Sequence, residues 1–167
     1  MNERKRATID LIQREWLAFE RRINAASPQA FDRPAFGDAS WRLRDLLAHL
    51  VFWQDFGARV AEQIRREGRK PRPEERARDV LGETRELDEI NRGVVEAARR
   101  RPAGEIVDDL RRAHARLVDA LRGCPEELLF VGDEPEDLVR ALRPSITHLR
   151  EHLPHIEAAL KEGATTA

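Results

Sequence analysis

The chain predicts an all-α fold, a single four-helix bundle, and three observations lead there. Apolar residues recur at helical spacings of three and four in four separate stretches, and no stretch alternates apolar with polar as a half-buried strand would. With 167 residues and 41% hydrophobic content, the chain has the length of one domain and enough apolar side chains for one core. The connections between the stretches are unequal, which selects among bundle topologies.

The first stretch places Ile9, Ile12, Trp16, Phe19 and Ile23 on one stripe, with Arg14, Glu20, Arg21 and Arg22 mostly off it. Asn2 is its expected N-cap, and Ser27-Pro28 ends it because Pro disfavours the α conformation in the residue before it. Residues 28 to 40 read as a loop, and Ser40 as the N-cap of a second helix from about Trp41 to Glu67. That helix is roughly 40 Å long at 1.5 Å per residue. Its stripe is Leu43, Leu46, Leu50, Trp53, Val60 and Ile64, with Gly57 at the missing step. From Gly68 to about Glu83 the periodicity dissolves. A third helical region begins near Thr84 with Leu87, Ile90, Val94 and Ala98. Pro102 and Gly104 interrupt it before Ile106, Leu110, Ala113, Leu117 and Leu121 continue, as one bent helix or two in tandem. Residues 123 to 143 form a long connection, with one helical turn expected around Leu138 to Leu142. Pro144 then opens the last helix, with Ile146, Leu149, Leu153, Ile156 and Leu160 inward and Gly163 at its end.

Residues 1–163 are thus expected to form one domain, with 164–167 a tail. The second linker is long enough to travel the whole bundle, whereas an antiparallel neighbour needs only a short loop. An up-down-down-up order with a crossover between the second and third helices is therefore favoured.

Charge narrows the function classes. Lys and Arg number 30 against 31 Asp and Glu, which argues against a nucleic-acid protein with its basic excess. No charge-free stretch is longer than Leu46 to Gln54, which is too short to span a bilayer. The charged N-terminus leads into an amphipathic segment, not the apolar region of a signal peptide, so a soluble, cytoplasmic protein is expected. A single cysteine, Cys124, excludes an internal disulfide and a cysteine-only metal site, leaving it a small core residue.

Five histidines remain to be placed. His148 and His152 are i,i+4 on the last helix, so their imidazoles lie one turn apart on one face, close enough to converge on one ion. His49 borders the stripe of the second helix, from which it can supply a third ligand and leave a position open. Ordinary surface or hydrogen-bonded histidines are the alternative. Glu151, i,i+3 from His148, is placed to take a proton as a general base, or else to serve as a solvated partner for Arg150 or Arg143. The string from His148 to His152 also spells H-x-x-E-H, but the chain beyond offers no suitably placed third ligand for that protease pattern. His155, i,i+3 from His152, is a fourth or outer group of the site or a half-buried polar contact. Asp45, one turn before His49, can orient that imidazole or complement the helix dipole. Pro154 removes one helix hydrogen bond, that to the Arg150 carbonyl, beside these residues. His114, among Arg111, Arg112 and Arg116, reads as a surface residue, and the arginine runs as solvated helix faces.

The stretch from Ser40 through His49 to Leu50, followed by Trp53, resembles the second-helix signature of the DinB/YfiT-like superfamily. The stretch from Thr147 to Ile156 resembles its last-helix H-x-x-x-H motif, and Ile90-Asn91 sits where many relatives have a Leu/Ile-Asn pair. The resemblance runs from the first helix to about Leu160. It implies the same bundle and a divalent metal, such as zinc or nickel, on three histidines that map to His49, His148 and His152. It also implies a low-molecular-weight thiol as cosubstrate, since relatives include thiol-dependent S-transferases using bacillithiol or mycothiol and a maleylpyruvate isomerase. The chain departs at His152-Leu153-Pro154-His155-Ile156, where metal-binding relatives more often show Gly-Gln-Ile after the histidine. A ClbS/DfsB-type branch instead contains resistance proteins that act without this metal site. The expected function is therefore a metal-dependent transferase or hydrolase acting on an electrophilic small molecule. The alternatives are a metal-free small-molecule binding protein and a dimerising structural bundle, and a homodimer is the partner expected beside the small molecule.

Overall fold

The computed structural model describes residues 3–37, 40–70, 87–132, 138–139 and 142–161. The helices are α1 (Glu3–Asn24), α2 (Leu43–Glu67), α3 (Leu87–Ala98), α4 (Ala103–Gly123), a single turn α5 (Glu126–Leu129) and α6 (Arg143–Lys161). A 3-10 turn, Pro28–Asp32, lies between α1 and α2. Among the described residues, extended pairing is limited to two isolated bridges, Pro34 with Arg42 and Phe130 with Leu138.

Cross-helix contacts fix the directions. At the start of α1, Lys5 Nζ donates to the carbonyls of Arg122 and Cys124 at the end of α4, at 2.5 and 2.6 Å. Further along α1, Glu20 pairs with Arg111 at 3.0 Å, so α1 and α4 are antiparallel. Along α2, Asp55 and Glu62 both pair with Arg116, and Arg65 packs over Gly123, so α2 and α4 are parallel. Glu15 pairs with Arg150 and Arg22 with Glu157, so α1 and α6 are parallel. Gly57 meets Ser145 while His49 meets His148 and His152, which makes α2 and α6 antiparallel. The order is up-down-down-up. Most of the crossover that this order demands lies outside the described residues.

The predicted stripes are the core. Ile9, Ile12, Trp16, Phe19 and Ile23 of α1 are buried, as are Leu43, Leu46, Leu50, Trp53, Val60 and Ile64 of α2 and Ile106, Leu110, Ala113, Leu117 and Leu121 of α4. In α6, Ile146, Leu149 and Ile156 are buried, and Leu153 and Leu160 are half-buried. Gly57 is required by close packing. A Cβ built there would lie 2.4 Å from Ser145 Cβ and 3.1 Å from Leu117 Cδ1, so the missing side chain is what lets α6 and α4 approach α2.

The structure corrects several local expectations. Ser40 is not the cap of α2. Ala35 N–H donates to the Trp41 carbonyl at 2.8 Å and Leu43 N–H to the Arg33 carbonyl at 2.9 Å, which holds 41–42 extended beside Pro34. The helix therefore starts at Leu43, with Arg42 as N-cap and Asp45 Oδ2 accepting the Arg42 N–H at 3.0 Å. The third region is two helices in tandem, because Pro102 takes an extended backbone at the boundary. Within 123–143 a helical turn sits at Glu126–Leu129. Val139 N–H donates to the Leu129 carbonyl at 2.7 Å beside the Phe130–Leu138 bridge, and Leu142 N–H donates to the Val139 carbonyl at 2.8 Å, while residues 140 and 141 of the turn expected at 138–142 lie outside the described residues. Helix α6 continues through Pro154 without a break. Asn2, Thr84, Gly163 and the 164–167 tail lie outside the described residues.

Candidate metal centre

His49 enters the site from the middle of α2, where Leu46 and Leu50 are fully buried and carry the ring with them into the bundle; it is 4% exposed. His148 and His152 come from α6, one turn apart and half-buried. Because α2 and α6 run antiparallel, the single residue meets the pair across their seam. Ring centroids lie 5.1 Å apart for His49 and His148, 5.4 Å for His49 and His152, and 5.3 Å for His148 and His152. One ring nitrogen from each residue falls within 4.8 Å of those of the other two. A tetrahedral ion with bonds of about 2.0–2.1 Å places its nitrogen ligands about 3.3–3.4 Å apart, so rotamer-scale movement closes the set.

The electrostatics suit ligation. Burial is the largest of the effects that push the His49 pKa from 6.5 to about 3; proximity to His148 and His152 adds to it, and hydrogen bonding to Asn91 opposes it. His152 is lowered to about 4, again first by burial, then by His148 and His155, with Glu151 pulling the other way. Both rings are neutral at pH 7, the form that offers a lone pair to a metal. His148 Nδ1 lies 2.9 Å from the Pro144 carbonyl, which can only accept, so Nδ1 carries the proton and Nε2 is the free lone pair. The Nδ1 atoms of His49 and His152 are buried without a hydrogen-bond partner, a costly arrangement unless something else engages the rings. Three imidazole nitrogens suit zinc, nickel, copper or iron, not magnesium or calcium. The residues present fit a divalent transition-metal ion.

Aromatic side chains fix the rings. Trp53 stacks on His148 at 5.3 Å with planes 8° apart, Trp41 lies 5.1 Å from His49, and Phe36 meets His152 edge-on at 6.1 Å. Beside His148 a groove of about 580 Å³ opens between Val131, Leu138 and Pro144 on its apolar side and Arg143, Thr147 and Glu151 on its polar side.

Other expected site residues lie elsewhere. Glu151 is exposed and lines that groove, one turn from His148. It is not the partner of Arg150, which reaches across to Glu15 at 2.6 Å. Asp45 does not orient His49: its carboxylate caps α2 through the Arg42 N–H and approaches Arg99 Nε at 3.9 Å. A residue at N3 turns back toward its own helix start, so an acid one turn before a histidine satisfies the cap and not the ring. His155 stands outside the triad, 5.6 Å from His152 and packed on Phe36 at 4.5 Å. His114 is buried, not on the surface: it stacks on Trp16 at 4.1 Å and its pKa falls to about 4 through burial. Its arginine neighbours in sequence are taken up by acids: Arg111 pairs with Glu20, Arg112 with Asp109, and Arg116 with Asp55 and Glu62. The residue that the spacing argument passed over is Asn91, which borders His49 from α3; only its place in the Ile90-Asn91 pair distinguished it in the sequence.

The family model of the mycothiol maleylpyruvate isomerase N-terminal domain matches residues 12–132. The chain belongs to that family. Through it the chain is a member of the DinB/YfiT-like superfamily of helical bundle proteins. No curated protein and no solved structure matches the chain. The family match takes in His49 and Asn91 and stops before α6, so His148 and His152 are contributed from outside the matched stretch.

Proposed function

We propose that this DinB-like protein is a metal-dependent enzyme that joins a low-molecular-weight thiol to an electrophilic small molecule in the cytoplasm. The observation that carries this reading is the trio of ring nitrogens within 4.8 Å of one another beside an open groove. Membership of a mycothiol-related family supports the thiol. His49, His148 and His152 would hold the divalent ion, whose charge would lower the pKa of a thiol brought to it. The chain's own residues do the rest. The Pro144 carbonyl and the Trp53 face hold the His148 ring with Nε2 turned from its own helix backbone. Glu151, open to the same groove, accepts the thiol proton, and its exposure lets it pass that proton to water. Val131, Leu138 and Pro144 shed water from the apolar part of the electrophile, and Arg143 and Thr147 contact its polar part.

The test starts with metal analysis of protein purified without a histidine tag. A near-stoichiometric zinc or nickel content that His148→Ala abolishes supports the centre; no ion in either protein removes it. Mycothiol consumption with a model electrophile then reads the chemistry, and Glu151→Gln should slow it while leaving the metal content unchanged. A second reading, a metal-free protein that sequesters a small molecule in the groove, draws on the family match ending before α6. Ligand binding that survives His148→Ala would favour it.

A further inference from the structure

Between α1 and α4 lies a second groove, of about 390 Å³, which shares no lining residue with the one beside His148. Its apolar walls are Trp16 and Leu17 of α1 and Ala115 and Val118 of α4. Leu17 is 57% exposed; among the described residues the other exposed large apolar side chain is Val131, which lines the groove beside His148. Two polar side chains break this lining. Gln13, half-buried, brings an amide with both donor and acceptor. His114 is 6% exposed, and its Nδ1 is buried without a hydrogen-bond partner. Burial pushes its pKa down to about 4, so at pH 7 the ring is neutral and carries one donor and one acceptor. The stack on Trp16 at 4.1 Å fixes the ring in the wall, but a stacked face gives neither nitrogen a hydrogen bond. Asp119 and Arg122, also in the lining, pair with each other at 3.3 Å, so the groove carries no net charge.

We propose that this groove is a binding site for an uncharged aromatic molecule bearing a hydroxyl group, a phenol. Its volume falls in the range of about 300–1,000 Å³ usual for small-molecule sites, and its make-up is theirs: apolar walls with a few polar groups that fix orientation. A flat ring packs against the Trp16 edge and the Leu17 and Val118 side chains. A hydroxyl both donates and accepts, so it pairs with a neutral imidazole in either tautomer, and the Gln13 amide can take its remaining position. A carboxylate or an ammonium group finds no free counter-charge, because Asp119 and Arg122 already hold each other. The site uses none of the three histidines of the candidate metal centre and therefore stands or falls independently of the metal reading.

The experiment titrates the full chain at pH 7.5 with 4-methylphenol, toluene and 4-methylbenzoate and reads binding by NMR. 4-Methylphenol should bind saturably. Toluene, which lacks the hydroxyl, should bind about 10-fold more weakly, and 4-methylbenzoate should not bind. Ala115→Trp fills the groove from an exposed position and should abolish 4-methylphenol binding. His114→Phe keeps a ring against Trp16 and removes both nitrogens, so it should bring 4-methylphenol down to the affinity of toluene. His148→Ala should leave 4-methylphenol affinity at the wild-type value. Should His114→Phe fail to fold, the wild-type comparison of 4-methylphenol with toluene gives the same reading. The proposal is overturned if 4-methylphenol does not bind, if toluene or 4-methylbenzoate binds as tightly, or if His114→Phe folds and leaves 4-methylphenol affinity unchanged. Binding that survives Ala115→Trp also overturns it; if that binding is lost in His148→Ala, the phenol belongs to the groove beside the metal centre.

Discussion

Acid should weaken this fold through His114, and by a calculable amount. The ring stacks on Trp16 with planes 10° apart, is 6% exposed, and has its pKa lowered from 6.5 to about 4 by burial. In the unfolded chain it titrates near 6.5. The folded state therefore binds fewer protons than the unfolded state between these values. Stability from this group is fully present above pH 6.5, is lost as pH falls, and is gone near pH 4. At pH 5.0 the gap of 1.5 units corresponds to about 2 kcal/mol, at 1.36 kcal/mol per unit, which is a large part of a typical folding free energy. His114→Phe keeps an aromatic ring against Trp16 and removes the titration. Urea unfolding of metal-free protein at pH 7.5 and 5.0 gives the loss for each chain; His49, His152 and the carboxylates are common to both and cancel. Wild type should lose about 2 kcal/mol more than His114→Phe. Parallel losses in the two chains would refute burial of a neutral His114.

Three further outcomes follow from the packing and the site. Asp45→Ala should cost about 1 kcal/mol through loss of the α2 cap while leaving zinc affinity at the wild-type value; a fall in affinity would return Asp45 to His49. Gly57→Ala forces a methyl group into Ser145 and Leu117 and should cost about 1–3 kcal/mol in urea unfolding. Part of that loss should come back when Ser145 is also changed to Gly. Zinc held at about 100 times its dissociation constant should stabilise wild type by about 2.7 kcal/mol, an effect that chelation reverses and His148→Ala lacks.

The bundle was legible because each helix writes its own apolar stripe, and linker lengths distinguished parallel from antiparallel neighbours. Trp16, Phe19, Leu50, Leu117 and Ile156 are buried where their spacing placed them. The i,i+4 pair of the site was legible for the same reason, since 148 and 152 share a face by helix geometry alone. What periodicity cannot carry is the identity of the facing element. His114 was misplaced because its sequence neighbours are arginines, whereas its spatial neighbour is Trp16 of α1. Asp45 was drawn toward His49 by a one-turn spacing, although a strand-like approach of Arg33 and Ala35 shifted the helix start and made it the cap. Asn91 could not be joined to His49 because the crossover hides how α3 is set against α2.

The antiparallel seam between α2 and α6 has a consequence for assembly in time. During synthesis, the portion carrying α1 to α4 emerges with one of the three imidazoles, and its companions arrive only when the final rod threads back along the seam. A cation captured there, as proposed, would report that α6 has docked and would thereafter rivet it to α2. Shortening the chain just after residue 132 would keep everything the family model recognises and leave a lone, weak donor.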